Sequence, residues 1–241
     1  GKVTRNNWKK IAGVWYRFDE NGIMISNAVY DDYLFKSSGA LAENSWVKIA
    51  DKWYYGNQEG KINRDKWAKI DVLINNAGLA LGLDKEYEGD FDDWDTMIDT
   101  NIKGLLNMTR FVVPAMVERN EGHIINIGSV AGDAAYANGN VYCATKAAVK
   151  TITDGLRIDV AESNVRVTNL KPGLVQTNFS TVRFHGDDAR ADNVYKGVKP
   201  LTGDDIADVA FYAASAPAHV QIAEVLVLAT HQANGSVIVR K

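Results

Sequence analysis

The sequence predicts an α/β fold in which a parallel sheet flanked by helices follows a small solenoid of β-hairpin repeats. Short apolar strands alternate with helical patterns from residue 71 to the end of the 241-residue chain, and this alternation is typical of βαβ units. Before residue 71, an aromatic motif begins at positions 8, 29, 46 and 67, and such self-similarity marks repeat architectures. We therefore expect two domains, residues 1–70 and residues 71–241.

Composition supports this division and narrows the classes of function. Residues 1–70 contain 12 Lys and Arg against 8 Asp and Glu, whereas residues 71–241 contain 15 against 22. The overall net charge of −3 is too small to indicate a nucleic-acid partner. No apolar run is long enough to span a bilayer. The lone Cys143 excludes an internal disulfide, which is in keeping with a cytoplasmic protein, and we interpret it as a small helix residue rather than a nucleophile.

The repeats predict β-hairpins. Trp8-Lys-Lys-Ile-Ala-x-x-Trp15-Tyr16 recurs as Trp46-Val-Lys-Ile-Ala-x-x-Trp53-Tyr54, a shortened copy begins at Val29, and a last copy begins at Trp67. Turn-forming dipeptides follow three of the aromatic clusters: Asn21-Gly22, Ser38-Gly39 and Glu59-Gly60. Aromatic strands separated by such turns are typical of hairpins, which would bury their aromatic rings on one another along the solenoid.

Residues 1–70 resemble the cell-wall-binding repeats of Gram-positive surface proteins, which include choline-binding and glucan-binding modules. The resemblance implies that aromatic rings form cages for a quaternary ammonium group or faces for sugar rings. The side chains at the corresponding positions are Trp15, Trp46, Trp53, Tyr54 and Trp67. The same aromatics could equally be the core of the stack, so both interpretations stay open.

The second domain contains four predicted strands and three predicted helices. The strands are residues 71–75, 123–129, 165–170 and 224–228, and two helices are residues 93–117 and 140–161. The third helix begins with a capping box, Thr202-x-x-Asp205, and has Ile206, Val209, Ala210 and Ala213 on one face. Asn75, Ser129 and Pro172 lie at predicted strand ends. Because ligands of parallel sheets bind beyond the carboxyl ends of the strands, we expect the site there.

The spacing of Ser129, Tyr142 and Lys146 predicts acid–base chemistry. A phenol has an unperturbed pKa near ~10, so it needs help to exchange a proton at neutral pH. Lys146 lies four residues, or one helical turn, after Tyr142, and its positive charge would lower the tyrosine pKa. A serine hydroxyl could bond the substrate oxygen while a cofactor moves a hydride.

Five motifs in order extend this pattern. They are Asn75-Asn76-Ala77-Gly78, Asn101-Ile-Lys-Gly104, Gly128-Ser129, Tyr142-Cys-Ala-Thr-Lys146 and Pro172-Gly173-x-x-x-Thr177. With these motifs, residues 71–241 resemble the later two-thirds of a short-chain dehydrogenase/reductase with a Rossmann-like sheet. The stretches 75–82 and 179–187 are most similar to the NADP-dependent 3-hydroxy acid (serine-type) dehydrogenases.

The resemblance implies a role for each residue. Tyr142 would exchange the alcohol proton, Lys146 would assist it and hold the nicotinamide ribose, Ser129 would bond the reacting oxygen, and Asn101 would anchor a water. The implied cofactor-binding residues are Asn75, Ala77, Gly78, Tyr142, Lys146, Pro172, Gly173 and Thr177.

Some of these residues have alternative roles. Asn75 and Asn76 could instead tie the central strands together, and Pro172-Gly173 could be only a turn that ends a strand. Arg183 is a candidate partner for a substrate carboxylate, or alternatively a solvated surface residue. His185 and His231 have no partners at metal-ligand spacing, so we predict no metal site.

The sequence departs from the family in one respect. No Gly-rich phosphate loop precedes the strand at Asp71, so the domain resembles a truncated member in which this strand becomes a sheet edge. We therefore expect an oxidoreductase on a small hydroxy acid or carbonyl substrate that binds NADP, or alternatively NAD, weakly and whose turnover is doubtful. The competing hypothesis is a non-catalytic choline- or glucan-binding module on the cell surface, joined to an inactive reductase remnant. Residues 92–162 contain the two helices that family members use for subunit contacts, so a homo-oligomer is expected.

Overall fold

The chain divides into two compact units, residues 1–69 and residues 70–241. The structure is a computed structural model that describes residues 3–62 and 69–241, without the side chain of Trp53. The repeat copy that begins at Trp67 lies outside the described residues.

The first unit consists of antiparallel hairpins, as the sequence predicts. The hairpin strands are β1 (Asn7–Ile11) with β2 (Val14–Phe18), β3 (Ala28–Tyr30) with β4 (Tyr33–Phe35), and β5 (Ser45–Ile49) with β6 (Lys52–Gly56). Backbone bonds join segments from different hairpins: Leu41 N donates to Trp15 O and Leu34 N donates to Gly60 O.

The predicted turn residues form turns, but these turns follow the three hairpins and do not connect the paired strands. The tight connections within hairpins fall at residues 12–13, 31–32 and 50–51, where the backbone has positive φ. Gly22, Gly39 and Gly60 instead follow β2, β4 and β6, and each N–H donates to the carbonyl three residues earlier. Their positive φ angles of 73° to 82° explain why glycine occurs there in each copy.

The aromatic residues of the first two hairpins pack on one another. The ring of Trp8 lies 6.4 Å from Trp15, 4.8 Å from Tyr33 and 5.6 Å from Phe35, measured between ring centroids. Phe35 is fully buried, whereas Trp46 of the third hairpin is 58% exposed. Some aromatics of the repeat therefore form a core and others form surface.

The second unit is built on a four-stranded parallel sheet, which confirms the predicted fold class. Its strands are β7 (Val72–Asn75), β8 (Gly122–Ile127), β9 (Val165–Pro172) and β10 (Glu224–Val227), in the order β10-β9-β8-β7. Asn75, Asn126 and Asn169 are aligned across three adjacent strands. Strand β7 forms an edge of this sheet, where Val72 and Ile74 are 38% and 48% exposed.

Helices cover both faces of the sheet. They are α1 (Phe91–Ile98), α2 (Leu105–Glu118), α3 (Asn140–Asp159), α4 (Phe179–Arg183), α5 (Asp188–Tyr195) and α6 (Gly203–Ser215). Ile124 joins the cluster that contains α2 residues, whereas the next residue, Ile125, joins the cluster that contains α6 residues. This alternation places neighbouring residues of β8 on opposite faces of the sheet. The predicted capping box of α6 is confirmed, because Thr202 and Asp205 bond each other's backbone N–H groups.

The predicted helix over residues 93–117 is interrupted. Residues Asp99–Gly104 form a π-helical segment between α1 and α2. Such segments are rare and are often found at functional sites, and this one contains Asn101.

Among the described residues, no helix has the length and the apolarity that crossing a bilayer requires.

Candidate active site

The three residues of the predicted acid–base set lie together beyond the carboxyl end of β8. Ser129 lies two residues after the end of β8, and Tyr142 and Lys146 lie one turn apart on α3. All three are buried, with 9%, 8% and 6% of their surface exposed. The Ser129 side chain lies close enough to Tyr142 to act on its pKa, and the Lys146 Nζ lies 6.0 Å from the centroid of the Tyr142 ring.

Lys146 is tied to the end of the same strand. Its Nζ donates a 2.9 Å hydrogen bond to the carbonyl oxygen of Ile127. An ammonium group has three donors, so two remain for other partners. The bond aims the amine at the carboxyl edge of the sheet, where a ligand would bind.

Burial sets the proton affinities of the pair. Burial raises the pKa of Tyr142 above its ordinary value, while its hydrogen bond with Ser129 and the charge of Arg183 act in the lowering direction. Burial also lowers the pKa of Lys146 to about 8. The pKa of Tyr142 is therefore raised overall, because desolvation of the phenolate outweighs the favourable interactions, and the expectation that Lys146 lowers this pKa stays a prediction.

Asn101 joins three segments around the pair. Its Oδ1 accepts from Leu79 N at 2.9 Å, and its Nδ2 donates to Leu79 O at 2.8 Å and to Thr145 Oγ1 at 3.0 Å. Thr145 in turn donates to the carbonyl oxygen of Tyr142. The π-helical segment thus holds the loop after β7 against α3, and the water-anchoring role of Asn101 stays a prediction.

Gly78 leaves room beside these groups. A Cβ atom at this position would lie 3.2 Å from Asn101 Oδ1 and 3.3 Å from Lys146 Nζ. The neighbouring Ala77 is exposed. The absence of a side chain therefore lets the backbone of residue 78 lie close to both groups.

Asn75 has the structural role that the sequence left open. Its Nδ2 donates to Asn126 Oδ1 at 2.8 Å, and Asn126 Nδ2 donates to Thr153 Oγ1 at 2.9 Å. These bonds tie β7 to β8 and β8 to α3. Asn126 was not predicted, although an amide inside the apolar run of residues 124–127 was the signal that could have identified it.

The segment after β9 has a mixed role. Pro172 is buried at the last position of β9. A Cβ atom on Gly173 would lie 2.2 Å from Gln232 Oε1, so a larger residue would displace the Gln232 side chain, which accepts a hydrogen bond from Leu174 N. Thr177 is exposed, and its hydroxyl accepts from Phe179 N at the start of α4.

The cysteine and the histidines offer no further chemistry at this site. Burial raises the pKa of Cys143, so its thiol is held in the unreactive form. His185 lies 3.0 Å from Asp93 Oδ2, and His231 is exposed. In the part of the chain that the structure describes, no group of three or more His, Cys, Asp or Glu side chains could hold a metal ion.

The fold and site define a class of protein. A parallel α/β sheet presents a buried serine, tyrosine and lysine at its carboxyl edge, and a family profile described as short chain dehydrogenase matches residues 61–188. The chain therefore belongs to the short-chain dehydrogenase family. A second profile, described as a putative cell wall binding repeat, matches residues 6–24 and 44–62.

Relatives within the family are dehydrogenases. The NADP-dependent 3-hydroxy acid dehydrogenase of Schizosaccharomyces pombe is 48% identical over 73% of this chain and 68% of its own length. The NADP-dependent 3-hydroxy acid dehydrogenase YdfG of Salmonella typhi is 56% identical over 65% of this chain. The chain spans 64% of the length of the YdfG relatives.

A solved structure has the same fold over most of the second unit. The closed form of serine dehydrogenase complexed with NADP+ is 49% identical, with a TM-score of 0.69. The similarity covers 73% of this chain and 71% of that one.

Proposed function

We propose that residues 70–241 interconvert an alcohol and a carbonyl with NADP(H), on a small 3-hydroxy acid. The observation that supports this most strongly is the burial of Tyr142 and Ser129 at one place, where Ser129 acts on the Tyr142 pKa, with Lys146 one turn away on α3. The relatives named above are NADP-dependent 3-hydroxy acid dehydrogenases.

The proposed proton chemistry uses the geometry of this pair. In reduction, the Tyr142 hydroxyl donates its proton to the carbonyl oxygen, and the Ser129 hydroxyl donates a hydrogen bond to the same oxygen and stabilises its developing charge. In oxidation, Tyr142 accepts the alcohol proton. The protonated Lys146 stabilises the phenolate that is left after proton donation, because the two charges are opposite and both groups are buried.

NADP would supply or accept the hydride in this reaction. The residues present fit its nicotinamide ribose, since Gly78 gives close approach to the backbone and two Lys146 donors are open. We propose that Ala77, Asn75, Pro172, Gly173 and Thr177 line the same site.

Because this chain contains no Gly-rich phosphate loop, we propose that it binds NADP(H) weakly, with a Kd above about 100 μM, and NAD(H) no better. Titration calorimetry that gave a low micromolar Kd would refute weak binding.

The activity is tested by NADPH oxidation in the presence of 3-oxobutyrate, with the cofactor raised into the millimolar range. We expect slow turnover that Tyr142→Phe abolishes without a change in thermal stability. The matched control is Tyr212→Phe, because Tyr212 is 68% exposed on α6 and should keep full activity. Turnover that survives Tyr142→Phe would contradict the proposed role of the tyrosine.

A second candidate function is supported by the first unit. We propose that the hairpins of residues 1–69 bind a cell-wall glycan on the exposed Trp46, whose ring lies 5.1 Å from Tyr55. Choline fits less well, because Lys10 and Lys61 already lie 5.5 Å from the rings of Trp15 and Tyr33 and would repel a quaternary ammonium.

Affinity columns separate these ligands. We expect retention on a glucan column that Trp46→Ala removes and that the exposed Tyr87→Ala leaves intact. Retention on choline alone would overturn the preference for a glycan, and passage through both columns would remove the second function.

We further propose a homo-oligomer and a cytoplasmic location. Helices α2 and α3 lie in the region that family members use for association, and Leu106, Met108 and Val117 of α2 are each more than 40% exposed. A monomeric mass in sedimentation equilibrium would refute the oligomer. If the glycan-binding function is correct, a location at the cell surface replaces the cytoplasm.

A further inference from the structure

Arg183, the last residue of α4, lies over the proposed proton donor. Its guanidinium carbon is 5.6 Å from the centroid of the Tyr142 ring and 5.5 Å from that of Tyr136. The positive charge acts to lower the pKa of Tyr142, although burial still raises it overall. The guanidinium is therefore a cation beside the ring of the proposed proton donor.

Two hydrogen bonds fix the orientation of this guanidinium. Nη1 donates to the Tyr136 hydroxyl at 2.9 Å, and Nε donates to the carbonyl oxygen of Gly82 at 3.2 Å. Both acceptors are neutral, so neither compensates the charge. A guanidinium has five N–H donors, so further N–H groups are available to a ligand.

Among the described residues, the charge of Arg183 has no counterion nearby, in contrast to that of Arg157. Within residues 3–62 and 69–241, no carboxylate of the chain lies within ion-pair distance of it, whereas Arg157 pairs with Asp154 at 2.9 Å. A half-buried cation without a compensating anion is costly, and the cost falls when an anionic ligand binds. The surroundings of Arg183 favour a carboxylate, for which its planar fork is suited.

We propose that Arg183 binds the carboxylate of the substrate and selects hydroxy acids over uncharged alcohols, an inference that rests on the proposed function of the same site. In a 3-hydroxy acid the carboxylate lies two carbons from the carbinol carbon. The substrate would thus extend from the Ser129–Tyr142 pair toward the guanidinium, with its chain beneath α4. Tyr136 and Gly82 hold the Arg183 guanidinium in the orientation that binds the substrate carboxylate.

A purely structural role is the competing explanation, because Gly82 N also donates to Arg183 O at 3.0 Å. The two explanations differ in their dependence on substrate charge. A residue that only supports α4 would affect 3-oxobutyrate and its methyl ester equally. A carboxylate-binding residue would affect the acid alone.

The kinetic test compares Arg183→Gln and Arg183→Lys on the full chain with these two substrates. Loss of a charged hydrogen-bonded pair should raise KM for 3-oxobutyrate by about 10- to 100-fold and change KM for the ester by less than about threefold. Arg183→Lys should restore part of the affinity, because it keeps the charge and loses the fork. The control is Arg190→Gln, since Arg190 is exposed and lies over Phe184. Equal losses for acid and ester would overturn the proposal.

A second measurement does not need turnover. Phenylglyoxal modification of the unmodified chain, mapped by mass spectrometry, should be slowed at Arg183 by 3-hydroxybutyrate and unaffected by 1,3-butanediol, while Arg190 reacts at the same rate throughout. Protection of Arg183 without turnover would support the carboxylate subsite and contradict the proposed function. Absence of protection at millimolar 3-hydroxybutyrate, or equal protection by the diol, would remove the subsite.

Discussion

Burial controls the protonation of both Tyr142 and Lys146. The tyrosine pKa is raised, so the phenol keeps its proton throughout the neutral range, while the pKa of Lys146 is lowered to about 8. The proposed proton donor is thus in the form that reduction needs. The positive charge that stabilises the resulting phenolate is present only below the pKa of the lysine.

The lowered pKa of Lys146 predicts that the rate of reduction depends on pH. The rate with 3-oxobutyrate should be constant below the pKa of Lys146 and should fall as pH rises through about 8, because the ammonium loses its proton. Lys146→Arg keeps its charge at these pH values, so its residual rate should stay level to higher pH. Steady-state rates between pH 6 and pH 10 would measure both profiles, and an unchanged decline in the variant would contradict the assignment.

His123 shows how a buried titratable group affects stability. It is 2% exposed, and its Nε2 lies 2.8 Å from Thr168 Oγ1, which donates its own proton to Ile222 O. Nε2 must therefore be the protonated nitrogen and the donor to Thr168. Protonating the ring would add a proton at Nδ1, which has no hydrogen-bond partner among the described residues.

The consequence is an acid-sensitive fold. Burial, followed by the charge of Arg166, lowers the pKa of His123 to about 4, so the unfolded chain binds more protons than the folded one. The free energy of unfolding should fall as pH drops below the ordinary histidine pKa of about 6.5 and lose about 1–3 kcal/mol by pH 4. Urea unfolding at a series of pH values would measure the slope.

A pair of variants isolates the histidine. His123→Leu should reduce the slope between pH 4 and 6.5, because a leucine takes up no proton. The variant should still fold, since Thr168 keeps its bond to Ile222. His219→Leu changes an exposed histidine and should leave the slope intact. A slope unaffected by His123→Leu would assign the acid sensitivity to other groups.

At the scale of elements, the π-helical segment Asp99–Gly104 positions the site. It places Asn101 where one amide bonds the backbone of Leu79 twice and Thr145 once. Removing this amide would release the loop that contains Gly78 and leave the Leu79 backbone without its partners. The effect should be larger on catalysis than on folding, because the loop is part of the proposed cofactor site.

Asn101→Ala tests this role. We expect kcat/KM to fall by at least about 10-fold, with a loss of about 1–3 kcal/mol in the free energy of unfolding. The control is Asn107→Ala, an exposed residue of α2, which should change neither value. Full activity in Asn101→Ala would show that the hydrogen bonds of the Asn101 amide are not needed for catalysis.

The elements differ in how well the sequence predicts them. The four strands follow from their apolar runs, and the capping box at Thr202 follows from local spacing, because each depends on neighbouring residues alone. The interruption at Asp99 could not be predicted, since it depends on what Asn101 contacts in another segment. Helices α4 and α5 are short and gave no apolar periodicity that would identify them.

The site shows the same limit. The spacing of Tyr142 and Lys146 indicated one face of a helix, and the structure has that arrangement. The overall direction of the Tyr142 pKa shift could not be predicted from this spacing, because it depends on burial by the whole fold. The sequence did not decide between a carboxylate-binding role and a surface role for Arg183, because its partners Tyr136 and Gly82 are distant in sequence.

At the scale of the whole molecule, the chain combines a hairpin unit with a dehydrogenase unit. We propose that residues 1–70 and 71–241 are separate domains, because their charge, aromatic content and strand pairing differ. The second contains the sheet, the buried acid–base residues and Arg183. Catalysis is therefore a property that we assign to residues 70–241 alone.

Isotope transfer tests the central claim most directly, because it detects even rare turnovers by a chain that binds its cofactor weakly. The full chain is incubated with 3-oxobutyrate and millimolar NADPH deuterated at the transferable position of the nicotinamide, and the product is analysed by mass spectrometry. We expect one deuterium on the carbinol carbon of 3-hydroxybutyrate with the unmodified chain, and none with the Tyr142→Phe variant. Unlabelled product, no product from the unmodified chain, or equal labelling by Tyr142→Phe would contradict the proposed reductase.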